Sequence, residues 1–474
     1  MTPTSYNPIT PEIVSRLTAI VGDGNVVFGD PDALEPFSHD EIPDRHYRSM
    51  PEAVVKPGSA EEICEIMKLA NAERVPVTPR GAGSGLSGGA VPVCGGIVLS
   101  LDRLNRVLEI DADNMVIVLE PGVVTSEINE HVEPLGLFYA GYPMSLETCF
   151  IGGNVAENAG GAKAVKYGVT GRYVLGLEVV TPTGELIQLG GKLVKDVTGY
   201  DLLGLMVGSE GTLGIFTKIT LKLLPAPKAT ADLLCMFERL DDAIGVVPRI
   251  IAESGVTPAA IEFMDRTACQ EACRYLNETL PYEKAEAMLL ITLDGAHTDQ
   301  VERDYDAVGQ VCLDHGAMEV YVADNHTTSE RLWRVRRNVA EAFSIKSPYQ
   351  LGEDLVVPIV SIIDLVRGLA PIAEAHGVEV PAFGHAGDGN IHIRITPPAD
   401  WTEEQWSDEA PKIQKDLYDL AVSLGGHISG EHGIGHKRKG FIPMFLTPPT
   451  IEVMKSIKTA MDPNAILNPG KIFP

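Results

Sequence analysis

Apolar residues recur at helical spacing after Pro57-Gly58. Ile63, Ile66, Met67 and Ala70 share one face, and Ser59 with Glu62 forms a capping box, which predicts an amphipathic helix ending near Ala72. Short apolar runs at 53–55 and 75–77 flank it and complete a strand–helix–strand unit. Further β-branched runs at 97–101, 115–120, 175–180, 214–216 and 219–223 are bounded by Gly and Pro, so the chain to about 224 reads as one strand-rich α+β domain. Pro225-Ala-Pro227 interrupts regular pairing and marks a boundary. Beyond it, helical patterns at 241–254, 298–315, 328–343 and 359–376 alternate with apolar strands at 233–237, 288–293 and 319–322. That is the pattern of a compact two-layer α+β domain of ferredoxin-like character. The tail from about Gly426 is rich in His, Gly and Pro and is expected to return to the first domain. The expected division is therefore 1–226, 227–425 and 426–474.

Glycine changes this picture. Arg80 opens RGAGSGLSGGA, in which Gly83, Gly85 and Gly88 satisfy a dinucleotide-binding pattern, with Asp102 near the distance of a ribose-binding acid. A Rossmann unit also needs a crossover helix, and the few residues before Ile97 cannot supply one. Two readings remain: a turn-rich linker, or a loop whose bare amides approach a diphosphate directly. Three more clusters follow, at 151–161, at 166–168 and at 207–214.

Histidine clusters come later. Gly384-His-Ala-Gly-Asp-Gly-Asn-Ile-His392 contains Asp388-Gly389, the strongest short hairpin signal, which as a two-residue turn pairs His392 directly with His385. Along the return strand His392 and Arg394 alternate with Ile391, Ile393 and Ile395, so one face is polar and the other core. The second cluster is His427-Ile-Ser-Gly-Glu431-His432-Gly-Ile-Gly-His436. Two imidazoles and a carboxylate make an open metal site, whereas any one of these histidines alone reads as a turn or capping residue.

Charge and cysteine content exclude several classes. Against 38 Lys and Arg stand 65 Asp and Glu, a formal net charge of -27 over 474 residues, so nucleic acid and anionic membrane surfaces are not expected partners. Seven cysteines without a disulfide-like framework suit a reducing cytoplasm, and residues 1–10 lack a signal-peptide pattern. The longest apolar stretch, 360–370, contains Asp364 and Arg367, and no membrane span is expected.

The glycine clusters, in order over about 51–227, resemble the flavin domain of the vanillyl-alcohol oxidase / p-cresol methylhydroxylase superfamily. The resemblance implies FAD. Arg80, Gly81, Ala82, Gly83, Ser84, Gly85, Ser87 and Gly88 would surround its diphosphate together with Gly152, Gly153, Asn154, Asn158 and Gly161. Ser145, Thr148, Gly208, Glu210, Gly211, Gly214 and Asn468 would line the rest. Several members attach the flavin to a histidine in the first glycine loop, and Ser84 stands there in this chain, which implies non-covalent FAD.

The histidine clusters, with Asp462-Pro-Asn464 and Asn468-Pro-Gly-Lys471, look like the C-terminal half of the FAD-linked oxidases acting on D-2-hydroxy acids: D-lactate dehydrogenases, the flavin subunit of glycolate oxidase and D-2-hydroxyglutarate dehydrogenase. Carried over, the resemblance assigns a divalent metal (Zn, Fe or Mn) to His385, His392 and Glu431, proton acceptance to His432 and the substrate carboxylate to Arg336. Gly352 and Ala340 depart from members that grip a second carboxylate, which favours a small monocarboxylate such as D-lactate or glycolate. The nearest cysteine pair, Cys269 and Cys273, is no iron–sulfur motif. A partner acceptor is implied: an electron-transferring flavoprotein, an iron–sulfur subunit or, least favoured, a quinone. A glycolate or D-2-hydroxyglutarate dehydrogenase subunit, non-redox or reductive flavoenzymes of the same scaffold, and a silent flavin subunit are the rival expectations.

Overall fold

The computed structural model describes residues 5–42, 45–347 and 349–474. The chain divides into two compact units, one of residues 1–159, 169–226 and 432–474, the other of 160–168 and 227–431.

In the first unit a four-stranded sheet runs in the order Val26–Phe28, Ala53–Val55, Ile97–Ser100, Val77–Arg80, the last three parallel. The helix Ala60–Glu73 buries Ile63, Ile66, Met67 and Ala70 in the same core as Leu17 of the helix Pro11–Val21. Ser59 Oγ accepts the Glu62 amide at its start. Arg74 adopts a left-handed φ of 52° at its end, and the Val75 amide still donates to Ala70, so the following strand begins at Val77 and not at 75. Val77–Arg80 and Ile97–Ser100 are adjacent parallel strands, yet the connection between them carries no helix. A five-stranded antiparallel sheet follows in the order Val107–Asp111, Val116–Leu119, Ile215–Lys222, Val174–Val180, Leu186–Gly190.

The second unit is built on one seven-stranded antiparallel sheet: Ala317–Ala323, Ala229–Phe237, Ala287–Gly295, Ala260–Asp265, Ala382–His385, Asn390–Ile395, Leu351–Val356. On one face Met236, Met264, Met288 and Phe383 pack with the helices Arg266–Leu276, His326–Arg337 and Val339–Lys346. The helices Leu240–Ser254, Thr298–Asp314 and Glu403–Ser423 pack on strands from the other side. The layer count thus exceeds the two expected, because the interior strand Ala287–Gly295 is buried on both faces and needs cover on both.

The single helix expected at 328–343 is two, broken at Asn338, whose Nδ2 donates to the Arg334 carbonyl and competes with the helical ladder. The chain also leaves the second unit at His432, not near 426. Residues 427 and 429 bridge to Val356 and Asp354, which keeps that stretch on the sheet edge. Among the described residues, no helix is long and apolar enough to cross a membrane.

Candidate active site

The glycine loops of the first unit form a cradle of bare backbone. Gly83 and Gly88 have φ of 78° and 75°, a region that favours glycine, and the Gly88 amide donates to Asp40 Oδ2 at 2.8 Å. A Cβ on Gly153, in the first turn of the helix Ile151–Glu157, would meet nothing within 4 Å. The 208–214 loop docks on this helix through the Gly208 and Glu210 amides, which donate to Val155 and Ala156. Asn154 is buried with Nδ2 on Thr125 Oγ1, and Asn158 Oδ1 accepts the Gly171 amide. Ser145 lends its carbonyl to Thr148, and Gly161 lies in the 160–168 stretch counted with the second unit.

Two expected nucleotide ligands have other partners. The Arg80 guanidinium donates to the carbonyls of His39 at 2.7 Å and Pro36 at 3.2 Å and packs under Gly83, so it props the loop instead of pointing a free fork into it. Glu210 accepts the amides of Ile434 and Gly435 at 2.8 and 2.6 Å, which holds the backbone just after His432. Burial and the nearby carboxylates of Glu210 and Asp40 push the Glu157 carboxyl well up. Asn468 Nδ2 ties Gly89 to Glu210 through their carbonyls, while its buried Oδ1 and the buried Ser209 Oγ have no partner among the described residues. Positive-φ glycines and buried polar atoms without a partner among the described residues fit a diphosphate-bearing dinucleotide such as FAD.

In the second unit the hairpin turn has four residues, 386–389, because the Gly387 amide donates to Ile261 and the Gly389 carbonyl accepts from Val357, drawing the loop wide. The register is therefore His385 opposite Asn390 and Phe383 opposite His392. The two histidines are diagonal neighbours on one face and not directly opposed. Their rings still converge: His385 Nε2 and His392 Nε2 are 3.4 Å apart, and each is 3.4 Å from Glu431 Oε1. Ligands at about 2.0–2.1 Å in tetrahedral array are spaced about 3.3 Å, so this triangle has the size that one divalent ion requires.

Each imidazole is backed by a carboxylate. His385 Nδ1 lies 2.6 Å from Glu262 Oε1, and His392 Nδ1 3.6 Å from Asp354 Oδ1, which leaves both Nε2 atoms directed at the common point. Asp354, fully buried, accepts from Asn390 Nδ2, Ser429 Oγ and the Gly430 and Glu431 amides, and so places Glu431. Glu262 also pairs with Arg336 Nη2 at 2.6 Å, and that guanidinium lies 5.2 Å over the Phe383 ring. Glu262 and Asp354 escape the sequence reading. The available signal was a carboxylate inside an apolar strand, in AIEFMD and LGEDLV.

The field calls for positive charge here. Burial disfavours a charged His385 ring, yet Glu262 and Glu431 outweigh it and raise its pKa well above the ordinary value. Asp388 is pushed up to about 7, chiefly by burial, with Glu262 and Glu431 adding to the rise. The donor chemistry thus fits a divalent cation. Glu262→Gln should lower metal affinity about 10- to 100-fold, read as metal retained per chain during chelator titration, since the amide keeps a hydrogen bond to His385 but loses the charge. Retention equal to the parent would remove Glu262 from this role.

Arg394 shares the face of His392. Burial pushes its pKa down to about 10 against the pull of Glu353 and Glu341, although the residue is partly reached by solvent. It sits in a crowded recess. His432 follows Glu431 in the chain and is the first residue of the return to the first unit.

A flavin cradle joined in one chain to a His-His-carboxylate cluster defines a class, the flavin-dependent oxidoreductases. Comparison with known proteins narrows it. Residues 51–190 match the family described as "FAD binding domain" and residues 226–472 "FAD linked oxidases, C-terminal domain"; the chain belongs to the FAD-linked oxidase family. It is 40% identical to glycolate oxidase subunit GlcD of Bacillus subtilis, over 98% of this chain and 97% of that protein. It is 38% identical to a D-lactate dehydrogenase of Anaerostipes hadrus, over 98% of each. To D-2-hydroxyglutarate dehydrogenase of Stutzerimonas stutzeri the identity is 31%, over 98% of this chain and 99% of that one. Among solved structures, p-cresol methylhydroxylase with substrate bound superposes with a TM-score of 0.81 at 19% identity, covering 99% of this chain and 98% of that one, a likeness of fold.

Proposed function

We propose that this protein is an FAD-dependent dehydrogenase that oxidises a D-2-hydroxy acid to the 2-oxo acid. The observation that carries the reading is the 3.4 Å triangle of His385, His392 and Glu431, each imidazole backed by a carboxylate. The likeness to relatives named for glycolate, D-lactate and D-2-hydroxyglutarate supports it. When bound, FAD supplies a two-electron acceptor and the divalent metal, Zn, Fe or Mn, supplies a Lewis acid for the hydroxyl. His385, His392 and Glu431 hold that metal. Arg336, kept rigid by Glu262 and the Phe383 ring, grips the substrate carboxylate. His432 takes the hydroxyl proton as the carbon–hydrogen bond breaks. The glycine loops at 81–88, 152–161 and 208–214 bind the FAD without a covalent link, because Ser84 has no nucleophilic ring.

Electrons then pass to a separate acceptor protein, an electron-transferring flavoprotein or an iron–sulfur subunit, since none of the seven cysteines lies in a cluster-binding run. The test is anaerobic reduction of the purified flavoprotein by a panel of D- and L-2-hydroxy acids. Bleaching by D-isomers alone is expected, and a flavin that no hydroxy acid bleaches would reject the proposal in favour of a non-redox or silent flavoprotein. FAD should be released intact by acid or heat at about one per chain. Colour that stays with the denatured polypeptide would contradict the Ser84 argument.

A further inference from the structure

We propose that Arg394 and Gly352 form a subsite for a second anionic group, so that the hydroxy acid taken by this protein is a dicarboxylate. The inference rests on the reading of the neighbouring cluster as the place where a 2-hydroxy acid binds, and it names the substrate class of that site.

Asn390–Ile395 alternates strictly, with Ile391, Ile393 and Ile395 fully buried and His392 and Arg394 on the opposite, more open face. At about 3.4 Å per residue, Arg394 lies roughly 7 Å along the strand from His392, beside the ligand cluster. Asp354 is paired with His392 and Gly352 with Arg394 in the neighbouring strand. A Cβ on Gly352 would lie 2.5 Å from Arg394 Nη1 and 3.1 Å from Cζ, so the guanidinium occupies the room that any side chain there would fill. Gly352 is not among the residues with positive φ, and its backbone therefore does not call for glycine. The reason for glycine is space.

The two arginines on this face differ in one respect. Arg336 has Glu262. Arg394 makes no side-chain hydrogen bond or ion pair with any described residue, and Glu353 and Glu341 act on it only through their charge. Glu353 is adjacent in the sheet but faces the other way, where it accepts from Gln414 Nε2 and Tyr418 Oη. A guanidinium that stands beside the ligand cluster without a protein carboxylate can take an anion from a ligand, and its planar fork suits a carboxylate held by two hydrogen bonds. With the first carboxylate on Arg336, the group left for Arg394 is at the far end of the substrate. Gly352 and Ala340 argued for a monocarboxylate because each lacks a grip of its own, and the recess at Gly352 is what lets Arg394 provide one.

The experiment is anaerobic stopped-flow reduction of the holoenzyme by D-lactate, D-malate and D-2-hydroxyglutarate, in the parent and in Arg394→Met and Gly352→Val. The second variant keeps the charge, fills the recess and suits a strand. In the parent, at least one dicarboxylate should exceed D-lactate in rate over affinity by tenfold or more. That preference should fall about 10- to 100-fold in both variants, the loss of one charge-assisted hydrogen-bond pair. A parent that prefers D-lactate overturns the subsite. So does a preference that stays constant while all substrates slow together, which would place Arg394 at the first carboxylate or in the strand's framework. Failure of every hydroxy acid to bleach the flavin is a separate outcome, which rejects the dehydrogenase reading and the subsite with it. Should Arg394→Met not fold, the parent ratio and Gly352→Val decide the matter.

Discussion

Removal of the metal, or replacement of His385, His392 or Glu431 by Ala, is expected to slow flavin reduction by a D-2-hydroxy acid on the order of a thousand-fold while FAD stays bound. The Lewis-acid contribution to the transition state is several kcal/mol, and each 1.36 kcal/mol is a factor of about ten in rate. The flavin loops belong to other stretches of chain, 81–88 and 208–214 in the first unit, so the visible spectrum should keep its oxidised-flavin bands at parental occupancy. Metal analysis of each variant beside single-turnover reduction is the check. Restoration by added divalent ions is expected for the stripped parent and not for the Ala variants. A metal-free enzyme of full activity would overturn the assignment.

His432→Asn is the sharper test of how the proton leaves. Asn cannot accept a proton, yet it leaves Glu431 in place, since the Glu431 amide is held by Asp354 and the backbone beyond is held by Glu210 through Ile434 and Gly435. General-base loss is worth about 100- to 10,000-fold, so the rate of flavin reduction should fall by that order with a much smaller change in substrate affinity. Reoxidation of reduced flavin by an artificial acceptor does not use this proton and should proceed at the parental rate. Reduction within a few-fold of the parent would make His432 a positioning residue and leave another group as the base.

Local pattern was enough for the parts of the molecule whose cause is local. The helix Ala60–Glu73 follows from four apolar residues at helical spacing and a serine cap, and no distant contact is needed to place it. The absence of a crossover helix after Arg80 follows from counting residues before Ile97, and that arithmetic separates a bare-loop flavin cradle from a Rossmann unit. The two faces of Asn390–Ile395 follow from alternation alone.

The rest depended on neighbours that are far away in the chain. The 386–389 turn widened because Ile261 and Val357 hold its glycines, so the pairing of His385 with His392 became diagonal although both stayed on one face. Glu262 and Asp354 could not be recognised as the groups behind the two imidazoles, because a carboxylate in an apolar strand shows its partner only once 123 residues separate it from His385 in sequence and 2.6 Å in space. In the sequence Arg394 reads as the polar-face companion of His392, and Gly352 as the loss of a grip on a second carboxylate, with nothing to set the two side by side. Sheet register sets them against each other, and a guanidinium over an empty Cβ position is a relation between two strands that neither strand encodes by itself. Periodicity, caps and glycine placement are written residue by residue and so determine elements and the class of cofactor loop. Register and the partnering of buried charges are long-range quantities, settled by which strand lies beside which, and only the folded chain decides them.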